Sequence, residues 1–339
     1  MTIAQKLGTV RTLPLRVGPI ALDGGAMLAP MSGVSDAGMR RAAARFGATL
    51  AFSEMVASEF FLDGDEESRL RAAGDGLAAH AVQLVGREPG AMGEAARRVE
   101  GAGASLIDIN MGCPARRVAG GLAGAALMRD VDHAARIVEA VAAAVRAPVS
   151  VKMRLGWDEG ERNAPQLARR AEAAGAAMIT VHARTRRQFY QGRADWRAVA
   201  EVVAEVGVPV VVNGDCGGLE DARAMLAASG ARAVMIGRAA IGAPWIVGQI
   251  ARALQTGAPL VDPPLAERRE AALSHLESLL AALGRRAGLR HARKHLAAYA
   301  EKAGAAPALR SALVTSEDAD AAMRLLARVF ESAEGREAA

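Results

Sequence analysis

The chain has 339 residues, 51% of them hydrophobic and only 3% aromatic. That length exceeds one ordinary domain and suits a barrel with an appendage, its core built in tight layers of Ala, Val, Leu and Gly. No run of ~18 apolar residues occurs, which excludes a membrane-spanning helix, and the N-terminal stretch lacks the apolar centre of a signal peptide, so the cytoplasm is the expected compartment. A formal charge of +5 and a sequence pI of about 9.7 hint at a polyanionic partner. Among the 42 basic residues, however, only Lys6, Lys152, Lys294 and Lys302 are lysines. So general an arginine preference raises the charge of any protein, and where the charge lies carries more than its sum.

From residue 26 onward strand-like and helix-like segments alternate. Short apolar runs bounded by Gly and Pro predict strands at 26–30, 49–54, 79–85, 106–110, 149–154, 178–182, 210–213 and 233–236. Amphipathic or Ala-rich helices fall between them, at 94–101, 134–145, 165–174, 196–206 and 220–228 among others. Eight such units predict a (β/α)8 TIM barrel with all strands parallel. A doubly wound open sheet would need G-x-G-x-x-G between an early strand and its helix, and that pattern is absent in that context. Residues 1–25 are expected to form a leader and barrel-bottom segment, and 26–261 the barrel. At Asp262-Pro263-Pro264 the alternation stops. Residues 262–339 read as an all-α helical bundle, with helices at 265–283, 289–303, 308–314 and 317–331 and an unstructured end from 333. Ser316, followed by Glu317 and Asp318, is the expected N-cap of the last helix. The barrel is expected to fold without the bundle.

Function in such a barrel collects at the carboxyl ends of the strands. Read in order, those ends carry Pro30-Met31-Ser32, then Glu54, Gln83, and Asn110 with Cys113. The remaining four carry Lys152 with Arg154, His182 with Arg184, Asn213-Gly214-Asp215, and Gly237-Arg238. Glycine-rich loops after the seventh and eighth strands are common phosphate sites in this architecture, though such loops are also often plain tight turns. Lys152 points into the mouth, which is costly unless it meets an anion or an electron-rich ring.

Cys113 follows the fourth strand, between Gly112 and Pro114, on a loop that these turn residues stiffen. A thiol there is poised for chemistry on something bound above the sheet; equally, free cysteines are often small buried hydrophobes. Cys113 and Cys216 are the only cysteines and have no partners at metal-ligand spacing. His291 and His295 stand one helical turn apart but flank Arg293 and Lys294, with no glutamate between, so no metal is expected. Arg290, Arg293 and Lys294 share a face of the second bundle helix, with Arg286 on the approach. A solvated basic face is the commoner meaning of such a cluster.

The stretches LAPMSGVSD, FSEM, QLVG, DINMGCPARR, VKMRLGW, TVHARTRRQFYQG, VVNGD, MIGRAAIGAPWI and RHARKH, in this order, resemble the tRNA-dihydrouridine synthases over nearly the whole chain, most closely the bacterial B-type enzymes. The resemblance implies an FMN-binding barrel, a helical domain that grips tRNA, NADPH as reductant, and reduction of a D-loop uridine to dihydrouridine. It implies Cys113 as general acid, a role that the usual thiol pKa of ~8.5 suits. By the same resemblance Pro30, Met31 and Ser32 lie against the flavin, Gln83 bonds its ring edge, and Lys152 sits at its electron-accepting end. Asn213, Gly214, Asp215, Gly237 and Arg238 hold ribityl and phosphate groups, and His182 lies near the flavin. Asn110, Arg154 and Arg184 face the base, while Arg290, Arg293 and Lys294 grip the RNA. The partners implied are tRNA, no metal and no membrane, with a monomeric chain.

Two rival readings stay open at this point. One is another FMN-dependent TIM-barrel oxidoreductase acting on a small molecule, against which the basic helical tail argues. The other is an RNA-binding protein that has kept a barrel without its chemistry.

Overall fold

The computed structural model describes residues 14–74 and 76–337. Residues 1–13 of the expected leader lie outside the described residues. A hairpin of β1 (Leu15–Val17) and β2 (Ile20–Leu22) precedes eight parallel strands: β3 (Ala26–Leu28), β4 (Leu50–Ala57), β5 (His80–Val85), β6 (Leu106–Met111), β7 (Val149–Arg154), β8 (Ala176–His182), β9 (Val210–Asn213) and β10 (Ala233–Ile236). They close in chain order, β10 pairing with β3. The hairpin was not foreseen as strand. Its Leu15, Val17 and Leu22 pack against inward-facing Met27, Phe52, Leu106, Met178, Val211 and Met235. That plug seals the bottom of the barrel and leaves the carboxyl ends of the strands as the open face.

Around the barrel run α1 (Ala37–Arg45), α2 (Ser58–Leu62), α3 (Glu66–Ala72), α4 (Pro89–Gly101), α5 (Arg116–Ala119), α6 (Val131–Ala144), α7 (Ala164–Ala173), α8 (Val199–Glu205), α9 (Leu219–Ser229) and α10 (Trp245–Thr256). The short α2, α3 and α5 have too few residues to display a helical period in sequence. β5 and β6 are buried at every position, the burial that all-parallel strands covered on both faces require. His80, Gln83, Asp108 and Asn110 are the polar exceptions there; His80 contacts Arg40 and the Ala72 carbonyl outside the site, and the site below accounts for the other three.

The C-terminal region is helical: α11 (Leu265–Leu283), α12 (Arg285–Lys302), α13 (Pro307–Thr315) and α14 (Ala319–Glu337). Three expectations are corrected here. α12 begins at Arg285, four residues early, so Arg286 lies within it. Asp318, not Ser316, caps α14: its carboxylate accepts the N–H of Asp320 at 2.9 Å, while the Ser316 hydroxyl donates to the Asp318 carbonyl. The helix continues to Glu337, past the point where structure was expected to end.

This region shares its core with the barrel. Trp245 and Ala243 pack with Leu276, Leu296, Tyr299 and Phe330, and Phe46 meets the Trp245 ring edge-on at 6.0 Å. A β-carbon on Gly242 would lie 2.5 Å from the Ala298 backbone, so the barrel loop and α12 are in direct backbone contact there.

Candidate active site

The open face holds a cavity of about 590 Å³. Pro30, Met31, Ser32, Gln83, Asn110, Cys113, Lys152, Arg154, His182, Arg184, Asn213, Gly214, Asp215, Gly237 and Arg238 all line it, whereas Glu54, the other strand end read from the sequence, lies behind the wall and accepts the Gly33 N–H. Strand register explains the convergence. Asn110 pairs with Lys152, Arg154 with His182, His182 with Asn213, and Asn213 with Met235. Four neighbouring strands thus deliver polar side chains to the mouth in two adjacent rows.

Cys113 is held by a chain of buried side-chain hydrogen bonds. Ser150 donates to Asp108 (2.6 Å), and Gln83 donates to the other oxygen of Asp108 (2.6 Å). Asn110 donates to the Gln83 carbonyl oxygen (2.8 Å), and its own carbonyl accepts the N–H groups of Gly112 (3.0 Å) and Cys113 (2.9 Å). The loop then returns on itself, Ala125 N–H donating to the Cys113 carbonyl. Gly124, at φ +58°, is needed for that return, since a β-carbon there would meet the Cys113 carbonyl at 3.0 Å. Cys113 itself is half-buried and unpaired. Asn110, expected to face the base, has its amide oxygen committed to this turn. Gln83 keeps one N–H and one acceptor lone pair for a ligand. Asp108 and Ser150 were not foreseen; as polar residues inside an apolar strand pattern they were a readable signal.

Lys152 lies on the cavity floor, its Nζ 3.2 Å from Asn213 Oδ1, while Asn213 Nδ2 donates to the Met235 carbonyl at 2.8 Å. Burial, reinforced by Arg154, pulls the Lys152 ammonium below its ordinary range, against the pull of nearby Asp108. Burial pushes the Asp108 carboxyl up, opposed by its bonds to Gln83 and Ser150. His182 is held well below the usual imidazole range, first by burial and then by Lys152, Arg154, Arg184 and Arg238. It is neutral at physiological pH. Because Arg184 can only donate to His182 Nε2 (3.3 Å), the ring proton sits on Nδ1.

Two arginines expected to touch substrate are spent on the protein. Arg154, 2% exposed, donates to the carbonyls of Gly112, Thr185 and Phe189 at 2.7, 3.0 and 2.8 Å. Arg184, 1% exposed, donates to the carbonyls of Gln191 and Gly192 and to Asp215. Asp215 also accepts from the Ala194 N–H (2.9 Å) and from Arg238 (3.0 Å). These bonds, Arg184's first, outweigh burial and hold its carboxyl below the usual range. Arg154 and Arg184 therefore shape the loops, whereas Arg238, well exposed beyond its bond to Asp215, remains available at the rim.

Three non-glycine residues among those described have positive φ: Leu122, Phe189 and Asp215, at +60°, +54° and +59°. Phe189 and Asp215 line the cavity, and Leu122 follows the Cys113 loop. Such backbone strain collects at functional sites. Tyr190, 57% exposed beside Phe189, puts an aromatic ring 6.3 Å from that of His182. The aromatic pair in RRQFYQG was a signal that sequence reasoning passed over.

A glycine cradle, a cation on the floor and a charged rim fit a flat ring with a phosphate tail. Gly214, at φ +122°, admits no β-carbon, which would sit 2.9 Å from Ala194. Gly237 leaves the wall against Met31 open, as a β-carbon there would come within 3.4 Å of its sulfur.

Arg290, Arg293 and Lys294 lie outside this cavity, exposed on α12. Among the described residues neither Arg286, Arg290, Arg293 nor Lys294 has a carboxylate partner, whereas neighbouring Arg285 pairs with Asp320 at 2.7 Å. Lys294 departs from the other two: its Nζ lies 2.7 Å from where a β-carbon on Gly33 would stand, at the barrel mouth. No helix among the described residues is long and apolar enough to cross a membrane.

Comparison with known proteins accords with this geometry. The dihydrouridine synthase (Dus) family pattern matches residues 27–334. A Rhodobacter capsulatus protein named "Probable tRNA-dihydrouridine synthase" is 52% identical over 268 residues, covering 78% of this chain and 83% of its own. The tRNA-dihydrouridine synthase B of Xanthomonas campestris is 46% identical over 273 residues, covering 80% and 82%. The old yellow enzyme homologue of Zymomonas mobilis superposes with a TM-score of 0.51 at 15% identity, over 77% of this chain and 96% of its own, a likeness of fold alone. The chain belongs to the dihydrouridine synthase family of flavin-dependent oxidoreductases.

Proposed function

We propose that the protein reduces a D-loop uridine of tRNA to 5,6-dihydrouridine, with NADPH as reductant and FMN as cofactor. The observation that carries this reading is the fixed relation of Cys113 to the cavity: a thiol on a stiff turn at its wall, with Lys152 on the floor. FMN, when bound, supplies hydride transfer to one carbon of the uracil double bond. Pro30, Met31 and Ser32 would hold its ring, the free N–H of Gln83 would bond to it, and Lys152 would stabilise negative charge on it. Gly214, Gly237 and Arg238 would hold the ribityl and phosphate groups, with Asn213 and Asp215 orienting Lys152 and Arg238.

Cys113 gives its thiol proton to the adjacent carbon of the uracil ring, and the thiolate is reprotonated from solvent. The neutral His182, with its proton on Nδ1, is a hydrogen-bond donor beside the base. The target nucleotide must leave its stack to enter the cavity, at a cost of a few kcal/mol; Tyr190 at the rim offers a ring to stack on. Residues 262–339 act as the RNA-gripping domain beside the catalytic barrel of 26–261, with Arg290 and Arg293 meeting phosphates.

Cys113→Ala tests the assignment. It should bind FMN and accept electrons from NADPH normally, yet reduce unmodified tRNA ~10²–10⁴-fold more slowly. Near-normal turnover would mean that another group delivers the proton. Small enones offered in place of tRNA separate this reading from a small-molecule oxidoreductase.

A further inference from the structure

Residues 30–36, of which Pro30, Met31, Ser32 and Val34 line the cavity, form a tightly built segment. Met31 N–H donates to Ser35 Oγ (2.9 Å), the N–H groups of Val34 and Ser35 return to the Met31 carbonyl, and Gly33 N–H donates to the buried Glu54 carboxylate. The segment ends at Asp36, whose carboxylate serves two partners. It caps α1 through Met39 N–H at 3.1 Å, and it accepts His275 Nε2–H of α11, 3.1 Å from both oxygens. His275 is in turn held by Tyr299 at 3.0 Å.

On α12, the His295 ring lies 4.5 Å from that of His275, and its Nε2 is 3.4 Å from Asp36 without hydrogen-bond alignment. This side chain is 2% exposed, and neither ring nitrogen makes an aligned hydrogen bond among the described residues, Asp36 being in ion-pair reach of Nε2 alone. The other face of the same helix carries the exposed Arg290 and Arg293.

We infer that Asp36 is a positioning residue that couples the seat of α12 to the segment of residues 30–36, so that RNA drawn onto α12 sets the place of Met31 in the cavity. The inference rests on the RNA-substrate reading above. A buried imidazole just short of a carboxylate gains a hydrogen bond when α12 moves toward α1. A ligand that binds this closer seat better shifts the population toward it. The internal bonds tie Met31 to Ser35, the residue next to Asp36, and leave little slack, so the shift reaches the cavity.

Asp36→Ser in the full-length, flavin-loaded protein tests the coupling. Serine still caps α1 but is too short to reach His275. Flavin content and reduction by NADPH should stay within about threefold and tRNA affinity should fall several-fold, while single-turnover oxidation of the reduced enzyme by saturating unmodified tRNA should slow about tenfold or more. His295→Leu should reproduce the loss, and His295→Gln, which keeps a donor, should restore the rate to within about threefold. An unchanged tRNA step in both Asp36→Ser and His295→Leu overturns the inference. So does a defect that vanishes at saturating tRNA, since that makes Asp36 a contributor to binding alone. If the wild-type protein itself fails to reduce tRNA, the functional reading falls and the coupling with it; active wild type with unaffected variants sinks the coupling alone.

Discussion

Lys152 and Asn213 stand on β7 and β9, strands separated by β8, yet Lys152 Nζ reaches Asn213 Oδ1 at 3.2 Å across the barrel mouth. The contact fixes a buried ammonium at one point of the cavity floor, where a preorganised charge acts without reorganisation. Lys152→Met should keep the fold and some bound flavin but slow reduction by NADPH roughly 10–10³-fold. Anaerobic stopped-flow bleaching of the flavin measures it, and an unchanged rate would remove Lys152 from the chemistry.

Among the described residues, Arg290 and Arg293 are exposed without acidic partners, whereas Lys294 reaches the Gly33 turn. Arg290→Ala and Arg293→Ala should each weaken tRNA binding and reduce its dependence on log salt by about one for every phosphate the side chain neutralises. Reduction of the flavin by NADPH should not change. Equal affinity across a salt series would make these two arginines a merely solvated face.

The buried His295 titrates at about 4, lowered chiefly by desolvation and partly restored by Asp36. Its proton therefore binds the unfolded chain better, near the ordinary imidazole value of ~6.5. Stability is full above that value and declines as pH falls from about 6.5 to about 4, by roughly 3 kcal/mol for this residue alone. The buried His182 adds to the slope with the same sign. Urea midpoints measured at about pH 7 and about pH 5 should differ less in His295→Gln than in wild type. An identical pH dependence would mean that the imidazole is protonated in the fold.

Sequence reasoning expects the barrel to fold alone, and the shared core argues otherwise. A chain ended near Val261 would bare Trp245 and Ala243, which are 3% and 6% exposed in the intact protein. It would also leave Asp36 without His275. Such exposure of an apolar patch favours association. The truncated chain is expected to aggregate on size-exclusion chromatography, and a soluble, flavin-bearing monomer would restore the independent barrel.

Cys216, by contrast, is buried, its thiol pushed up to about 12 chiefly by desolvation and directed at the Gly218 carbonyl. Cys216 also lines the cavity, but so buried a thiol with so raised a pKa makes a poor proton donor.

The eight strands were legible because a parallel strand covered on both faces must be an apolar run, and such runs stand out between Gly and Pro. Val149–Arg154, Val210–Asn213 and Ala233–Ile236 agree with expectation to the residue. Once the barrel is recognised, strand polarity alone sends Gln83, Asn110, Lys152, His182 and Asn213 to one mouth. What each of these does with its hydrogen bonds was not legible, because partners such as Asp108 and Gln83, or Arg184 and Asp215, lie on different strands or loops. Arg154 and Arg184 look like ligand contacts in one dimension; in three they line the cavity and also brace its loops. The same holds for Asp36 and His275, 239 residues apart, which meet only when the last helices fold back over the first. Local composition determines which segments are strands and which ends are polar; register and long-range packing decide which charges are free to act.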